Sequence, residues 1–265
     1  MSEKETAKMK ILLGGAMGRM GAEMCRAAAA AGEEISFGVD RVPGKGLPFP
    51  CYGSYDTVPD FQCADILIDF SHPTALEQLL PYAVAHGLPC VLCATGYTPE
   101  QLQAIDEAAK VIPVLQSANM SLGVNLMEYL CEIAAKALKG FDTEIIEKHH
   151  HKKKDAPSGT ALMLRDAVLR GKGRPMNTIC GREGQVGARP EDEIAVLSVR
   201  GGTVTGEHEV GFYGEGQQLL ITHRAENRAL FAEGALTAAK FLLARGETPG
   251  RYSMKDVVQN AVETR

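Results

Sequence analysis

The stretch Met9-Lys10-Ile11-Leu12-Leu13-Gly14-Gly15-Ala16-Met17-Gly18-Arg19-Met20-Gly21 decides the fold. Met9 to Leu13 is a short apolar run, as a buried strand requires. A glycine turn follows with the spacing Gly15-x-x-Gly18-x-x-Gly21, and an alanine-rich helical pattern then continues to about Ala31. Gly32 suits the C-terminal cap of that helix. Apolar residues next alternate at Ile35, Phe37 and Val39, which is strand behaviour, and the run ends at Asp40. A bound pyrophosphate needs a turn without side chains, so that backbone N–H groups and a helix N-terminus can approach it. An acid about 20 positions on accepts from ribose hydroxyls, and Asp40 stands 19 residues after Gly21. Glycines at this spacing also serve tight helix–strand packing. Strand, turn, helix and acid together point to dinucleotide binding. Arg41 directly after the acid could pair with a 2′-phosphate, so NADH and NADPH both stay open.

The same alternation continues outward. After an irregular Pro- and Gly-rich connection over 42–60, residues 64–70 read as a strand and Ser71-His72-Pro73-Thr74 opens a helix reaching about His86. Pro89 to Ala94 is another strand. Thr98, Pro99 and Gln101 form a capping-box start for a helix ending near Lys110. Val111 to Leu115 is a strand with the exit loop Gln116 to Ser121. Repeated strand–helix units imply a Rossmann-like, doubly wound parallel sheet, with ligands beyond the carboxyl ends of its strands. The loops at Phe70-Ser71-His72, Ala94-Thr95-Gly96 and Ser117-Ala118-Asn119 then share a rim with the glycine turn. His72 by itself reads as a surface histidine.

From Leu122 the pattern changes. A helix over 122–138 ended by Gly140 precedes a strand over 143–148, and a second helix carries Ala161, Leu164 and Val168 as its apolar stripe. Strand-like runs at 194–199, 207–213 and 218–222 have no helix between them, which favours an antiparallel or mixed sheet. The second half is therefore an α+β domain. A long helix over 228–245 and a shorter one over 254–262 close the chain, the last packing back on the first domain.

Composition sets limits. The net charge of −5 excludes a global basic field for nucleic acid, and no apolar stretch approaches the ~18–20 residues of a membrane span. The polar residues 1–6 do not read as a signal peptide. Seven scattered cysteines argue against a disulfide framework and for the cytoplasm. Cys90 and Cys93 have metal-type spacing, yet they lie in an apolar run and read as buried thiols. No metal is expected.

Against this acidic balance, residues 148–154 consist wholly of histidine and lysine: Lys148-His149-His150-His151-Lys152-Lys153-Lys154. Asp155-Ala156-Pro157-Ser158-Gly159-Thr160 then leads into the second-domain helix. The first turn of a helix favours a carboxylate or phosphate, and it is equally a plain N-cap with an early proline. A histidine near neutrality or a crowded lysine is the usual donor of the proton that must accompany a transferred hydride. Consecutive histidines place imidazoles poorly around one metal ion. A lysine run can equally be a solvated face, but beside a dinucleotide half the stretch reads as catalytic or substrate-binding.

These residues resemble bacterial 4-hydroxy-tetrahydrodipicolinate (dihydrodipicolinate) reductases of the diaminopimelate route to lysine, nearly end to end. The resemblance is carried by Gly15 to Gly21, Ile68 to Ser71, Ala94-Thr95-Gly96, Ser117 to Ser121 and Gly123-Val124-Asn125. It continues through Glu144 to Glu147, His149-His150, Lys153 to Ala161, Gly181 to Gly184, Arg200-Gly201-Gly202, Gly206-Glu207-His208 and Phe231-Ala232. It implies that His149 is the proton donor or acceptor and Lys153 a second donor, with His150, Gly159 and Thr160 binding a dicarboxylate substrate. It implies that Gly15, Ala16, Met17, Gly18, Arg19, Met20, Asp40, Arg41, Cys93, Ala94, Thr95, Ser117, Ala118, Asn119 and Met120 line the nicotinamide dinucleotide. It implies a cytoplasmic homotetramer built through the second domain's sheet. The family usually has Gly at position 93 and often Thr at 94; here Cys93 and Ala94 can keep backbone contacts only. The chain is thus expected to hold a dinucleotide-binding domain over 1–121, with 240–265 packing back onto it, and a substrate-binding and oligomerisation domain over 122–239. The alternatives are another two-domain NAD(P)-dependent amino-acid dehydrogenase, or a non-catalytic dinucleotide sensor.

Overall fold

The computed structural model describes residues 8–59 and 64–263. Contacts divide the chain into two compact units, one made of the chain up to Ser121 and from Arg228 onward, the other of Leu122–Asn227.

The first unit is a parallel sheet. Its strands are β1 (Lys10–Gly14), β2 (Glu34–Val39), β3 (Cys51–Tyr52), β4 (Ile66–Asp69), β5 (Cys90–Leu92), β6 (Pro113–Gln116) and a late strand (Gly250–Tyr252). The late strand sits outside β6, and the order then runs β6, β5, β4, β1, β2, β3. Side-chain alternation assigns the two faces. Ile11, Leu13, Ile66, Ile68, Val91 and Leu115 pack with α1 (Arg19–Ala31) and with the helices over Ala229–Ala244 and Met254–Glu263. Leu12, Leu67, Cys90, Leu92 and Val114 pack with α2 (Leu76–Ala85) and α3 (Pro99–Ala108). Both faces are covered, which explains the uninterrupted apolar runs in the sequence.

The local signals act where expected. Gly32 is left-handed at φ 73° and caps α1, and Thr98 with Gln101 forms the capping box of α3. The connection over 42–60 is not wholly irregular: it contains β3 and a 3-10 turn at Tyr55–Thr57. The expected helix from Ser71 begins as a 3-10 turn over Pro73–Ala75, and α2 proper starts at Leu76.

The second unit contains α4 (Leu122–Ala137), β7 (Asp142–His149), α5 (Gly159–Lys172), β8 (Asn177–Ile179), β9 (Glu193–Arg200), β10 (Gly206–Gly214) and β11 (Gln217–Ala225). Its sheet has the order β11-β10-β7-β9-β8. β10 is antiparallel to β7 and β11, whereas β9 is parallel to β7 and β8, so the sheet is mixed. Helices α4 and α5 cover one face through Met127, Cys131, Ala161, Leu164 and Val168, against Ile145, Val196, Val210 and Phe212. Lys172 stabilises the end of α4 by donating to the carbonyls of Leu138, Lys139 and Phe141 at 2.9, 3.1 and 2.6 Å.

The helix over Ala229–Ala244 is α6, the late strand is β12 and the last helix is α7. The sequence places the second boundary between 239 and 240. The packing places it ahead of α6, because Ala232, Ala235, Ala239 and Leu242 all lie in the first unit's core.

Candidate active site

In the first unit, strand register builds the rim. Val39, Gly14, Asp69, Leu92 and Gln116 lie side by side across β2, β1, β4, β5 and β6. The residues that follow are tied in the same row. Gly15 N–H donates to Val39 O at 2.8 Å, Phe70 N–H to Gly14 O at 3.0 Å, Cys93 N–H to Asp69 O at 2.9 Å and Ser117 N–H to Leu92 O at 3.2 Å. The glycine turn and the exit loops of β4, β5 and β6 therefore stand next to one another at the carboxyl end of the sheet, where such folds bind ligands.

The three glycines have different reasons. Gly15 has φ 74°, and a Cβ there would press on the Phe70–Ser71 backbone. A Cβ on Gly21 would collide with the carbonyl oxygens of Ala16 and Gly15, so this position is packing. Gly18 is exposed and meets only Gly15 O, at 3.2 Å. No described side chain caps α1, whose N-cap is Gly18. An anionic group can be received by first-turn N–H groups that no side chain occupies.

A cavity of about 390 Å³ opens here, lined by Gly15, Gly18, Asp40, Arg41, Tyr55, Ser71, His72 and Gln78 among others. Asp40 is fixed at its edge: Oδ2 accepts from Met17 N–H at 3.0 Å and Oδ1 from Val42 N–H at 3.3 Å. A bare glycine turn, an uncapped helix start and an oriented carboxylate suit a dinucleotide. The other expected residues divide by depth. Ala16, Cys93, Ala94 and Met120 are buried, and Met20 packs on the core, so those side chains belong to the interior. Met17, Arg19, Thr95 and Ala118 are exposed. Ser117 and Asn119 close a turn on themselves, Ser117 Oγ donating to Asn119 O at 2.8 Å. His72 is exposed and caps the turn at Pro73, its Nδ1 accepting from Thr74 N–H at 3.3 Å. Cys90 and Cys93 are buried thiols whose pKa values burial drives upward; Cys63 lies outside the described residues.

In the second unit, the histidine–lysine stretch is the end of β7 and the turn after it. Residues two apart on a strand share a face, so Glu147 and His149 both point toward the helices, while Lys148 points away and reaches Glu207 at 3.3 Å. His149 Nδ1 lies 2.5 Å from Glu147 Oε2. Arg200 grips both oxygens of that carboxylate, at 2.8 and 2.7 Å. Ser158 N–H donates to Glu147 Oε1 at 3.1 Å. Burial raises the Glu147 carboxyl, but the hydrogen bonds from Arg200 and His149 outweigh it and bring the pKa down to about 2. His208 packs edge-on against His149, with ring centroids 5.2 Å apart, and its Nε2 is 3.1 Å from Ser158 Oγ. Burial, then the neighbouring His149, lowers His208 to about 4.

Ser158 is the N-cap of α5, its Oγ accepting from Ala161 N–H at 3.2 Å. Gly159 is exposed, and open space lies where its Cβ would be. Thr160 and His150 are half-buried. Among the lysines of the turn, Lys152 and Lys154 are exposed, whereas Lys153 is half-buried and pairs with Asp155 at 2.9 Å. His151 leans away, its Nδ1 2.8 Å from Gly202 O. Thus His149, Lys153 and the start of α5 are brought into one neighbourhood by β7 and its turn.

The sequence pattern assigns no role to Glu147, Arg200, Ser158 or His208. Glu147 could have been found from the i, i+2 spacing to His149. Arg200 and His208 reach the site only through strand pairing, His149 opposite Arg200 and Glu147 opposite His208.

Known proteins share this arrangement. A profile described as "Dihydrodipicolinate reductase, N-terminus" matches residues 9–120, and one described as "Dihydrodipicolinate reductase, C-terminus" matches 123–258. The chain belongs to the dihydrodipicolinate reductase family. Within it, the 4-hydroxy-tetrahydrodipicolinate reductase of Caldanaerobacter subterraneus subsp. tengcongensis is 42% identical over 95% of this chain and 98% of its own. That of Clostridium novyi is 41% identical over the same shares. The structure of a dipicolinate-bound dihydrodipicolinate reductase from Paenisporosarcina superposes with a TM-score of 0.80 at 22% identity, covering 94% of this chain and 99% of that one. Aspartate semialdehyde dehydrogenase II of Vibrio cholerae shares the fold more loosely, with a TM-score of 0.56 at 10% identity over 91% of this chain and 100% of that one. Family membership makes the chain an oxidoreductase with a nicotinamide-dinucleotide domain, and excludes a non-catalytic sensor as its first description.

Proposed function

We propose that this chain reduces 4-hydroxy-tetrahydrodipicolinate to tetrahydrodipicolinate, using NADH or NADPH, in the diaminopimelate route to lysine. The observation that carries the reading is the convergence of His149, Lys153 and the N-terminal turn of α5 in one neighbourhood, in a chain 42% identical to a reductase of that name. Substrate and product differ by a ring hydroxyl replaced with hydrogen. The balance is one hydride and one proton taken up, and one water released. The bound dinucleotide supplies the hydride. The protein's own task is to hold two carboxylates and deliver the proton.

His149 is the proton donor, and Lys153, paired with Asp155, is a second donor. His150, Gly159 and Thr160 hold a carboxylate at the start of α5, where backbone N–H groups and the helix dipole favour negative charge. In the first unit, Gly15, Gly18 and the start of α1 take the pyrophosphate. Asp40 receives ribose hydroxyls, and Arg41 beside it leaves room for a 2′-phosphate, so both cofactors serve. The loops at 93–95 and 117–120 complete the dinucleotide site through backbone atoms.

The edge strand β11 exposes Leu219 and Leu220, which supports a homotetramer assembled through this sheet. The described cysteines are all free thiols, in keeping with a cytoplasmic enzyme. Among the described residues no helix is long and apolar enough to cross a membrane.

The test is oxidation of NADH and of NADPH with freshly generated substrate. Both cofactors should support turnover, and His149→Gln and Lys153→Met should each lower kcat by ~10²-fold or more with the dinucleotide Kd unchanged. Wild-type turnover in both variants would sink the assignment of the proton donors, and no oxidation of either cofactor would sink the substrate.

A further inference from the structure

A histidine that donates a proton must present one chosen nitrogen, in one tautomer, to the reacting atom. Around His149 the second unit has built a fixed carboxylate. Glu147 is fully buried, and both its carboxylate oxygens are hydrogen-bonded. Arg200 holds both oxygens, and its Nη2 also donates to Asp155 O at 2.7 Å, tying the clamp to the turn that carries Lys153. Ser158 N–H holds Oε1 from the start of α5. Oε2, which Arg200 Nη1 also holds, meets His149 Nδ1 at 2.5 Å.

The opposite nitrogen of the ring is kept clear. A Cβ on residue 206 would stand 3.1 Å from His149 Nε2, and the residue there is glycine. His208 supports the ring from its edge and is itself held by Ser158 Oγ. The charged and titratable groups around the imidazole are therefore Glu147 from its own strand, Arg200 from β9, His208 from β10 with His223 of β11 behind it, and Lys153 and Asp155 from the turn. Of these only Glu147 both carries negative charge and bonds the ring. His208, lowered to about 4, stays neutral beside it and does not compete for the proton.

We propose that Glu147, locked by Arg200 and the Ser158 N–H, is the positioning residue for His149, taking its Nδ1–H and leaving Nε2 as the nitrogen that passes the proton to substrate. This deepens the reading of His149 as proton donor and rests on it. A carboxylate on Nδ1 fixes the ring's tautomer and orientation and stabilises the imidazolium, as in other oriented histidines. Arg200 keeps the carboxylate ionised and in one rotamer, so the aim of Nε2 is set by atoms that never touch the substrate.

The experiment compares pH profiles of kcat for the wild type, Glu147→Gln and His149→Gln, with histidine-labelled ¹⁵N NMR of the full-length wild-type protein. In Glu147→Gln the imidazolium loses its counter-charge. The alkaline limb of kcat should move to lower pH by about one unit, with kcat at its optimum down roughly tenfold or more, while the KM for dinucleotide stays at the wild-type value. In the wild-type protein, neutral His149 should carry its proton on Nδ1, a readout that does not depend on any variant folding. A wild-type spectrum with the proton on Nε2, or an alkaline limb unmoved in Glu147→Gln while His149→Gln is inactive, overturns the role of Glu147 and leaves His149 standing. Full turnover in His149→Gln removes the donor reading itself, and this inference with it.

Discussion

Asp69 places a carboxyl where a carboxylate is least at ease. It ends β4 beneath the glycine turn, 2% exposed, and a Cβ on Gly14 would land on its Oδ1 and on the Tyr55 hydroxyl. Ser71 N–H donates to its Oδ1 at 3.2 Å, and the Tyr55 hydroxyl also bonds the carboxyl. Burial lifts the pKa from 3.8 to about 6, against the lowering effect of the Ser71 hydrogen bonds. Between 3.8 and about 6 the folded state holds more protons than the unfolded one, so stability falls as pH rises through that window, and the cost persists above it. The gap corresponds to about 3 kcal/mol at most. Glu147 works the other way. Its pKa is depressed from 4.5 to about 2, so it contributes stability above about pH 4.5 that is lost as pH falls toward 2. Asp69→Asn keeps an oxygen for Ser71 and removes the charge. It should raise stability at pH 7 by about 1–3 kcal/mol, with the gain vanishing near pH 4. Urea unfolding at both pH values checks this, and a variant with the wild type's pH dependence would show that Asp69 is not the group responsible.

At the scale of elements, the turn from β1 into α1 separates two uses of glycine that its spacing cannot distinguish. Gly21 faces the carbonyls of Ala16 and Gly15, both backbone atoms that cannot swing aside, whereas Gly18 has its nearest neighbour at 3.2 Å and faces outward. Gly21→Ala should therefore unseat α1 and lower Tm, by about 2–4 °C for each kcal/mol lost in a unit of this size. Gly18→Ala should hold Tm within about 2 °C, which is roughly the reach of an ordinary surface change, and weaken dinucleotide binding by about tenfold through lost backbone approach. Calorimetry with a dinucleotide titration separates them, and equal losses of Tm would refute the division. The same contrast explains what was legible. Thr98 with Gln101, and Gly32 after Ala31, are contained within one turn of chain, so the sequence displays them whole. The strands Cys51–Tyr52, Asn177–Ile179 and Gly250–Tyr252 have two or three residues each and too few apolar positions to show a period. They exist because β2, β9 and β6 offer them an edge. The stretch 148–154 stands out as chemistry because it consists wholly of histidine and lysine, and the family resemblance picks His149 and Lys153 within it. Arg200 and His208 did not, because 51 and 59 residues of chain separate them from His149 and only register brings them back.

At the scale of the molecule, each unit has its own core: the two faces of the parallel sheet in one, the α4–α5 face of the mixed sheet in the other. The cavity proposed to take the dinucleotide is lined by residues of the first unit alone, and β11 belongs wholly to the second. A change at β11 should therefore leave the dinucleotide site intact. β11 is nine residues long and forms the outer edge of its sheet, with β10 on one side only. Its residues Gln217 to Leu220 are all exposed, two of them leucines. A long strand edge with unpaired N–H and C=O groups and apolar side chains is a template for another chain, and proteins that keep such an edge free usually guard it with lysine or proline. Here the guard is missing over Gln217–Leu220, which is what an edge used in assembly requires. Leu220→Lys supplies the guard. The wild type should run as a tetramer in light scattering coupled to size exclusion. The variant should shift to smaller species, with its dinucleotide Kd within about twofold of the wild type, because no residue of β11 lines the cavity. A wild-type monomer would remove the tetramer, and a tetrameric variant would move the interface away from β11.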